Sequence, residues 1–257
     1  TDGKILVSGS DDKTIKIWSL QTNQLIHTLN GHTDAVHSLV ISGDGKTLIS
    51  GSDDKTIKVW NLITGKLIRT LIGHKYWVRS VDINHDGVTL ASGSFDKTIK
   101  LWNINQQAPI QNLATSSQTV IAVAFSPNGK IIASASRDRT IKLWNLQTLK
   151  EIRTLMAEDN SVNTIAFSPD GKILASAGRN ISGEQIHHTI KLWNVATGEE
   201  MLTLTGHINA VTSLAFSADG KFLVSSGEDN LIKIWQIPVK NDRNFSSESL
   251  MYKSKVQ

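Results

Sequence analysis

The 257-residue sequence predicts an all-β fold assembled from six copies of one antiparallel sheet. Three observations carry that expectation. Six of the seven tryptophans, Trp18, Trp60, Trp102, Trp144, Trp193 and Trp235, stand 42, 42, 42, 49 and 42 residues apart. Each closes a similar phrase, from TIKIW at Thr14 to LIKIW at Leu231. Short apolar runs alternate with turn signals throughout, and no stretch keeps a helical period. A period of roughly 20 to 50 residues marks an array whose neighbours bury a shared core.

Within the second copy, Ala35 to Ile41 reads as strand a, Thr47 to Gly51 as b, Thr56 to Leu62 as c and Lys66 to Leu71 as d. The a-to-b turn carries Asp44-Gly45, repeated as Asp86-Gly87, Asn128-Gly129, Asp170-Gly171 and Asp219-Gly220, where glycine supplies the positive φ of a tight hairpin. Thr64-Gly65 and Thr197-Gly198 mark c-to-d turns. Strands a and b are apolar or small on both faces, as in Val120 to Phe125, so each sheet must be covered on both sides. Sheets packed face to face around an axis meet that demand. The copies divide as 1–30, 31–72, 73–114, 115–156, 157–205 and 206–237, with a polar tail at 238–257.

Composition excludes several classes of function. The chain has no cysteine, so disulfides, thiolate metal sites and cysteine nucleophiles are absent. Its longest apolar run, Val120 to Phe125, is far short of the roughly 20 residues that span a bilayer as a helix. A net charge of +4 is a weak signal for nucleic acid. A soluble, cytoplasmic protein without a membrane partner is expected.

Gly-His dipeptides at Gly31-His32, Gly73-His74 and Gly206-His207 each precede a ruler tryptophan by the same 28 residues, counted from His. With the phrases above, they make the sequence resemble the WD-repeat (WD40) β-propellers from Thr1 to about Ile237. The resemblance implies a hydrogen-bonded tetrad of His, Ser, Asp and Trp in each complete blade. It maps onto His32, Ser50, Asp54 and Trp60; His74, Ser92, Asp96 and Trp102; and His207, Ser225, Asp229 and Trp235. The eponymous Asp after each Trp is absent, replaced by Ser19, Asn61, Asn103, Asn145, Asn194 or Gln236. Blades four and five carry Thr115-Ser116 and Ala157-Glu158 in place of Gly-His, so looser d-to-a loops are expected there. Blade five has seven extra residues between Gly178 and Thr189, with Asn180 or His187 in the place of the tetrad Asp.

The phase of the ends predicts a first blade without strand a and a last blade without strand d. By resemblance, this is the C-terminal part of a larger, seven-bladed ring whose first blade lies upstream. The rival is a six-bladed ring in which 241–257 completes a blade. The Ser-rich tail lacks clean alternation and reads as disordered.

Catalytic and metal chemistry find little support. In each Asp pair, such as Asp53-Asp54, one carboxylate is claimed by a tetrad and the other is expected to face solvent. A glycosidase-type Asp-box fails because Ser10 and Trp18 are eight apart and the glycine is missing. His187-His188 has no third ligand and reads as an exposed loop. Lysines 16, 58, 100, 142, 191 and 233 lie two residues before their tryptophans, and are expected to lay their stems over the tetrad face with solvated amines. No cofactor is expected. An enzymatic or carbohydrate-binding propeller, and a weak nucleic-acid-binding module, are the competing readings.

What is left is a binding surface. By resemblance, the d-to-a and b-to-c loops open onto one face that docks proteins or peptides. On it, Trp77 stands where other copies have Ala35, Thr119, Ser161 and Ala210, preceded by Tyr76 and followed by Arg79. Phe95 stands where others have Asp11, Asp53 and Glu228; blade four has Arg137 at that offset and Ile121 at the offset of Arg79. Tyr76, Trp77, Arg79, Phe95, Ile121 and Arg137 are therefore the candidate partner-binding residues, since aromatic and Arg clusters on a rim have hot-spot composition. Wording of the TIKLWNL type resembles bacterial multidomain signalling proteins, which implies a scaffold joined to an upstream kinase or NTPase domain.

Overall fold

The computed structural model describes residues 3–115, 117–157, 160–180, 188–237 and 251–254. The chain divides into two compact units, Thr1–Phe125 and Ser126–Gln257. Every regular element among the described residues is a β-strand. The first sheet contains β1 (Ile5–Gly9), β2 (Ile15–Ser19) and β3 (Gln24–Leu29). The second runs β4 (Val36–Ile41), β5 (Thr47–Ser52), β6 (Thr56–Asn61), β7 (Leu67–Ile72), and the third β8 (Val78–Ile83), β9 (Thr89–Ser94), β10 (Thr98–Asn103), β11 (Gln111–Thr115). The fourth follows as β12 (Val120–Phe125), β13 (Ile131–Ser136), β14 (Thr140–Asn145), β15 (Glu151–Met156). The fifth is β16 (Asn160–Phe167), β17 (Ile173–Asn180), β18 (His188–Asn194), β19 (Glu200–His207). The sixth closes with β20 (Val211–Phe216), β21 (Phe222–Gly227), β22 (Ile232–Gln236) and β23 (Met251–Ser254). These are six propeller blades of three or four antiparallel strands in chain order.

The turn chemistry explains the meander. Gly45, Gly87, Gly129, Gly171 and Gly220 all adopt φ between 67° and 71°, as the a-to-b hairpins require. Neighbouring sheets then bury their apolar faces together: Ile15, Ile17, Leu29, Val36, Leu48 and Trp60 form one core cluster. Ile49, Ile57, Leu71, Val78, Leu90 and Trp102 form the next. In the second unit, Ala175, Ile190, Leu192, Val211, Leu223 and Trp235 repeat the arrangement. The expectation that both faces are covered holds in β5, β9 and β13, where five of six residues are buried.

Two features correct the sequence reading. The sixth blade has its fourth strand: β23 pairs antiparallel with β22, Trp235 opposite Met251 and Ile232 opposite Ser254. Backbone donors and acceptors on the edge of β22 can be paired by any extended segment, so alternation in the tail is not required. His188 is also not in an exposed loop. It opens β18, buried and opposite His207. Ser116, Glu158 and His187, on which the expectations of loosened loops and of a substituted tetrad Asp partly rest, lie outside the described residues.

Candidate partner-binding surface

The d-to-a and b-to-c loops are fixed by the tetrads. Trp60 Nε1 donates to Ser50 Oγ at 2.9 Å, so the Ser50 hydroxyl proton is directed to His32 Nε2, 2.7 Å away. His32 Nδ1–H then donates to Asp54 Oδ2 at 2.7 Å, tying the loop before β4 to the turn after β5. The same chain runs through Trp102, Ser92, His74 and Asp96 at 2.7, 2.6 and 2.8 Å. It recurs through Trp235, Ser225, His207 and Asp229 at 2.8, 2.7 and 2.8 Å. The glycines before His32 and His74 make room, since a Cβ on Gly31 or Gly73 would lie 3.0 Å from the edge of the Trp60 or Trp102 indole. In blades one, four and five the Trp–Ser bond persists, from Trp18 to Ser8, Trp144 to Ser134 and Trp193 to Ser176.

Burial opposes the charge on Asp54, but hydrogen bonds from His32, Thr56 and the Thr33 amide outweigh it and hold the carboxyl well below the usual range. Asp96 behaves likewise through His74, Thr98 and the Lys75 amide. Burial dominates at His74 and lowers its pKa despite Asp96. Ser, His and Asp in line are the residue types of a nucleophilic triad, yet Ser50 is 0% exposed and its oxygen already accepts the indole proton. The tetrads are structural ties.

Blade three presents its departures from the repeat on this frame. Asp96 accepts from the Lys75 amide at 2.9 Å, Ser94 Oγ donates to Tyr76 O at 3.1 Å, and the Phe95 amide donates to Trp77 O at 2.9 Å. The backbone under the aromatic residues is therefore held from three sides. Tyr76 is 60% exposed and Trp77 42%. The Trp77 and Phe95 rings meet at 5.0 Å between centroids, tilted by 48°. The Arg79 guanidinium lies 5.7 Å from the Phe95 centroid, and Lys55 Nζ 5.9 Å from that of Tyr76. Four of the six predicted residues thus sit together. Ile121 is half-buried on β12, and Arg137 is exposed in the second unit, after β13.

Sequence reasoning missed Lys55, Asp53 and His37 at this surface. Asp53 does not face solvent as expected: its side chain is 13% exposed, 2.8 Å from His37 Nε2 and 3.9 Å from Arg79 Nη1. The signal was present, because His37 and Arg79 hold the same offset in successive copies and flank the Asp53 turn. The repeated lysines also depart from expectation. Lys58, Lys100 and Lys233 are buried, and their amines are bound within the protein, Lys58 to Thr70 Oγ1 at 3.0 Å and Lys100 to Asn112 Oδ1 at 2.5 Å. Lys142 and Lys191 reach Glu151 and Glu200 at 2.7 and 2.6 Å. They form no exposed basic stripe. Among the described residues, no cluster of three or more His, Cys, Asp or Glu could hold a metal ion, and no helix is long and apolar enough to cross a membrane.

Comparison with known proteins agrees with this architecture. The family model WD40, described as "WD domain, G-beta repeat", matches residues 1–19, 23–61, 65–103, 107–145, 149–194 and 198–236. A stretch of 37 residues is 54% identical to a "Lissencephaly-1 homolog" of Caenorhabditis briggsae, covering 14% of this chain and 10% of that protein. The match thus spans far less than two thirds of the relative's length.

Proposed function

Since the chain belongs to the WD40 family, we propose that it is a non-catalytic scaffold that docks proteins or peptides on its d-to-a and b-to-c loop face, with Tyr76, Trp77, Arg79 and Phe95 at the centre of the contact. WD40 domains generally bind proteins or peptides, and the finer reading rests on one observation. Two large aromatic side chains, Tyr76 and Trp77, are held open to solvent on a hydrogen-bonded backbone at positions the repeat otherwise gives to small or polar residues. A tryptophan needed only for packing would be buried, as the ruler residues Trp60 and Trp102 are. Exposed, rigid aromatic residues beside an Arg supply contact area at little entropic cost. Ile121 and Arg137 are proposed as outlying contributors. The resemblance of the TIKLWNL wording to bacterial multidomain signalling proteins is what supports a place in a larger cytoplasmic signalling protein, joined to a kinase or NTPase domain.

The test is binding of a captured partner to wild type and to Trp77→Ala and Arg137→Glu variants. Trp77→Ala should weaken binding by about 2 kcal/mol or more, roughly thirtyfold, with a nearly unchanged melting temperature. Loss of stability in step with loss of binding would make Trp77 a core residue and overturn the assignment.

A further inference from the structure

Resting on that docking surface, we propose that its ligand is an acidic peptide segment carrying an aromatic or apolar anchor. The charges around the aromatic pair are one-sided. Lys75 and Lys97 are exposed in the loops that carry Tyr76, Trp77 and Phe95, Lys55 is exposed in the b-to-c turn of blade two, and Arg79 is partly exposed beside Phe95. The carboxylates nearby are withdrawn from solvent: Asp54 and Asp96 are each 5% exposed inside tetrads, and Asp53, 13% exposed, is bound to His37 through one oxygen, its other lying 3.9 Å from Arg79 without a hydrogen bond. Asp34 is the acid left exposed in the d-to-a and b-to-c loops of blades two and three.

Lys55 and Lys97 adopt φ of 71° and 68°, as Lys13 and Arg139 do at 72° and 69° in the same turn of blades one and four, so a cation at this turn belongs to the repeat. The equivalent turn of blade six uses Asn230 at φ 60°. Lys55 Nζ already lies over the Tyr76 ring, so a carboxylate approaching it would meet a cation whose hydration is partly replaced by the ring. The exposed rings of Tyr76 and Trp77 beside the cations offer the apolar surface for the anchor. A nucleic-acid strand fits less well. The Trp77 and Phe95 rings are tilted against each other rather than laid out as a base-stacking platform, and Asp34 would oppose a continuous phosphate backbone.

Fluorescence polarisation on the whole chain tests this with three labelled peptides sharing a central Phe and flanked by Glu, by Ser or by Lys, alongside a labelled oligothymidylate. The Glu-flanked peptide should bind about tenfold tighter than the Ser-flanked one, and its affinity should fall with added salt. The Lys-flanked peptide should be weakest. A Lys55→Glu, Lys97→Glu double variant should reverse the preference, so that the Lys-flanked peptide binds tighter than the Glu-flanked one. Lys55→Gln with Lys97→Gln should reduce it without reversal, and Lys221→Glu in the second unit should change nothing. Trp77→Ala should weaken every peptide. Equal, Trp77-dependent binding of all three peptides would overturn the acidic preference and leave the docking reading intact. Absence of any Trp77-dependent binding would overturn both. Tighter binding of the oligothymidylate than of the Glu-flanked peptide would assign the surface to nucleic acid instead.

Discussion

On β8, Asp82 occupies a place that the other copies fill with Val40, Ala124, Ala166 and Ala215. Burial pushes its carboxyl up to about 6, against the pull of the Phe125 amide at 2.7 Å and the Ile83 amide at 2.9 Å. The folded protein therefore holds this proton more tightly than the unfolded chain, whose carboxyl titrates near 3.8. With a raised acid, stability is greatest below the unfolded value and declines as pH climbs towards the folded one. A gap of about two pH units corresponds to about 3 kcal/mol of stability lost between about pH 4 and about pH 7. Asp82→Val removes that dependence. It also orphans the Phe125 amide, which costs about 1 to 3 kcal/mol, and adds apolar packing, but both effects are the same at every pH. The quantity to measure is the change in the variant-minus-wild-type stability between the two pH values. Urea denaturation should show the variant gaining about 2 to 3 kcal/mol relative to wild type on going from about pH 4 to about pH 7. An unchanged gap, or one that moves the other way, would mean that Asp82 is ionised in the fold at little cost and would refute the reasoning.

Three further outcomes follow from single contacts. Asp54→Ala strands His32 Nδ1 and the Thr33 and Thr56 amides and should cost about 1 to 3 kcal/mol near neutral pH; because the carboxyl is held low, this contribution is present above its ordinary range and should fade in acid, which denaturation at two pH values would show. Leu48 and Leu6 hold the same place opposite their blade tryptophans, but Leu48 is 0% exposed whereas Leu6, on the three-stranded sheet, is 52% exposed. Leu48→Ala should therefore cost about 2 to 5 kcal/mol, and Leu6→Ala about 1 or less; equal costs would mean that β1 is covered. Leu149 adopts φ of 56° in the turn where Gly65 and Gly198 serve other blades, so Leu149→Gly should raise the melting temperature, through about 1 kcal/mol of relieved strain less the entropy of the freer unfolded chain.

The frame was legible because it repeats. Trp60 and Trp102 announce their blades by spacing, and Gly31-His32 and Gly73-His74 point to Ser50 and Ser92 at constant offsets, so one correct copy supplies the others. What failed to show depends on partners outside the phrase. Lys58 reads as a solvated lysine until the register sets it opposite Thr70 on β7, and β23 has no pattern of its own because its pairing is through the backbone. Asp53 looks like a spare turn acid until His37 and Arg79 close on it from two successive blades. Departures from the repeat are visible in sequence, but their meaning is not. Trp77 and Asp82 are five residues apart, and each breaks a pattern kept by its counterparts. Strand geometry separates them: Trp77 precedes β8 and stays open to solvent, while Asp82 lies near its end, half-buried, with its carboxylate accepting from the amide of Phe125. An exposed departure adds contact area for a partner, whereas a buried charge lowers stability unless something else requires it. The same kind of sequence signal thus carries two opposite energetic consequences, and burial decides between them.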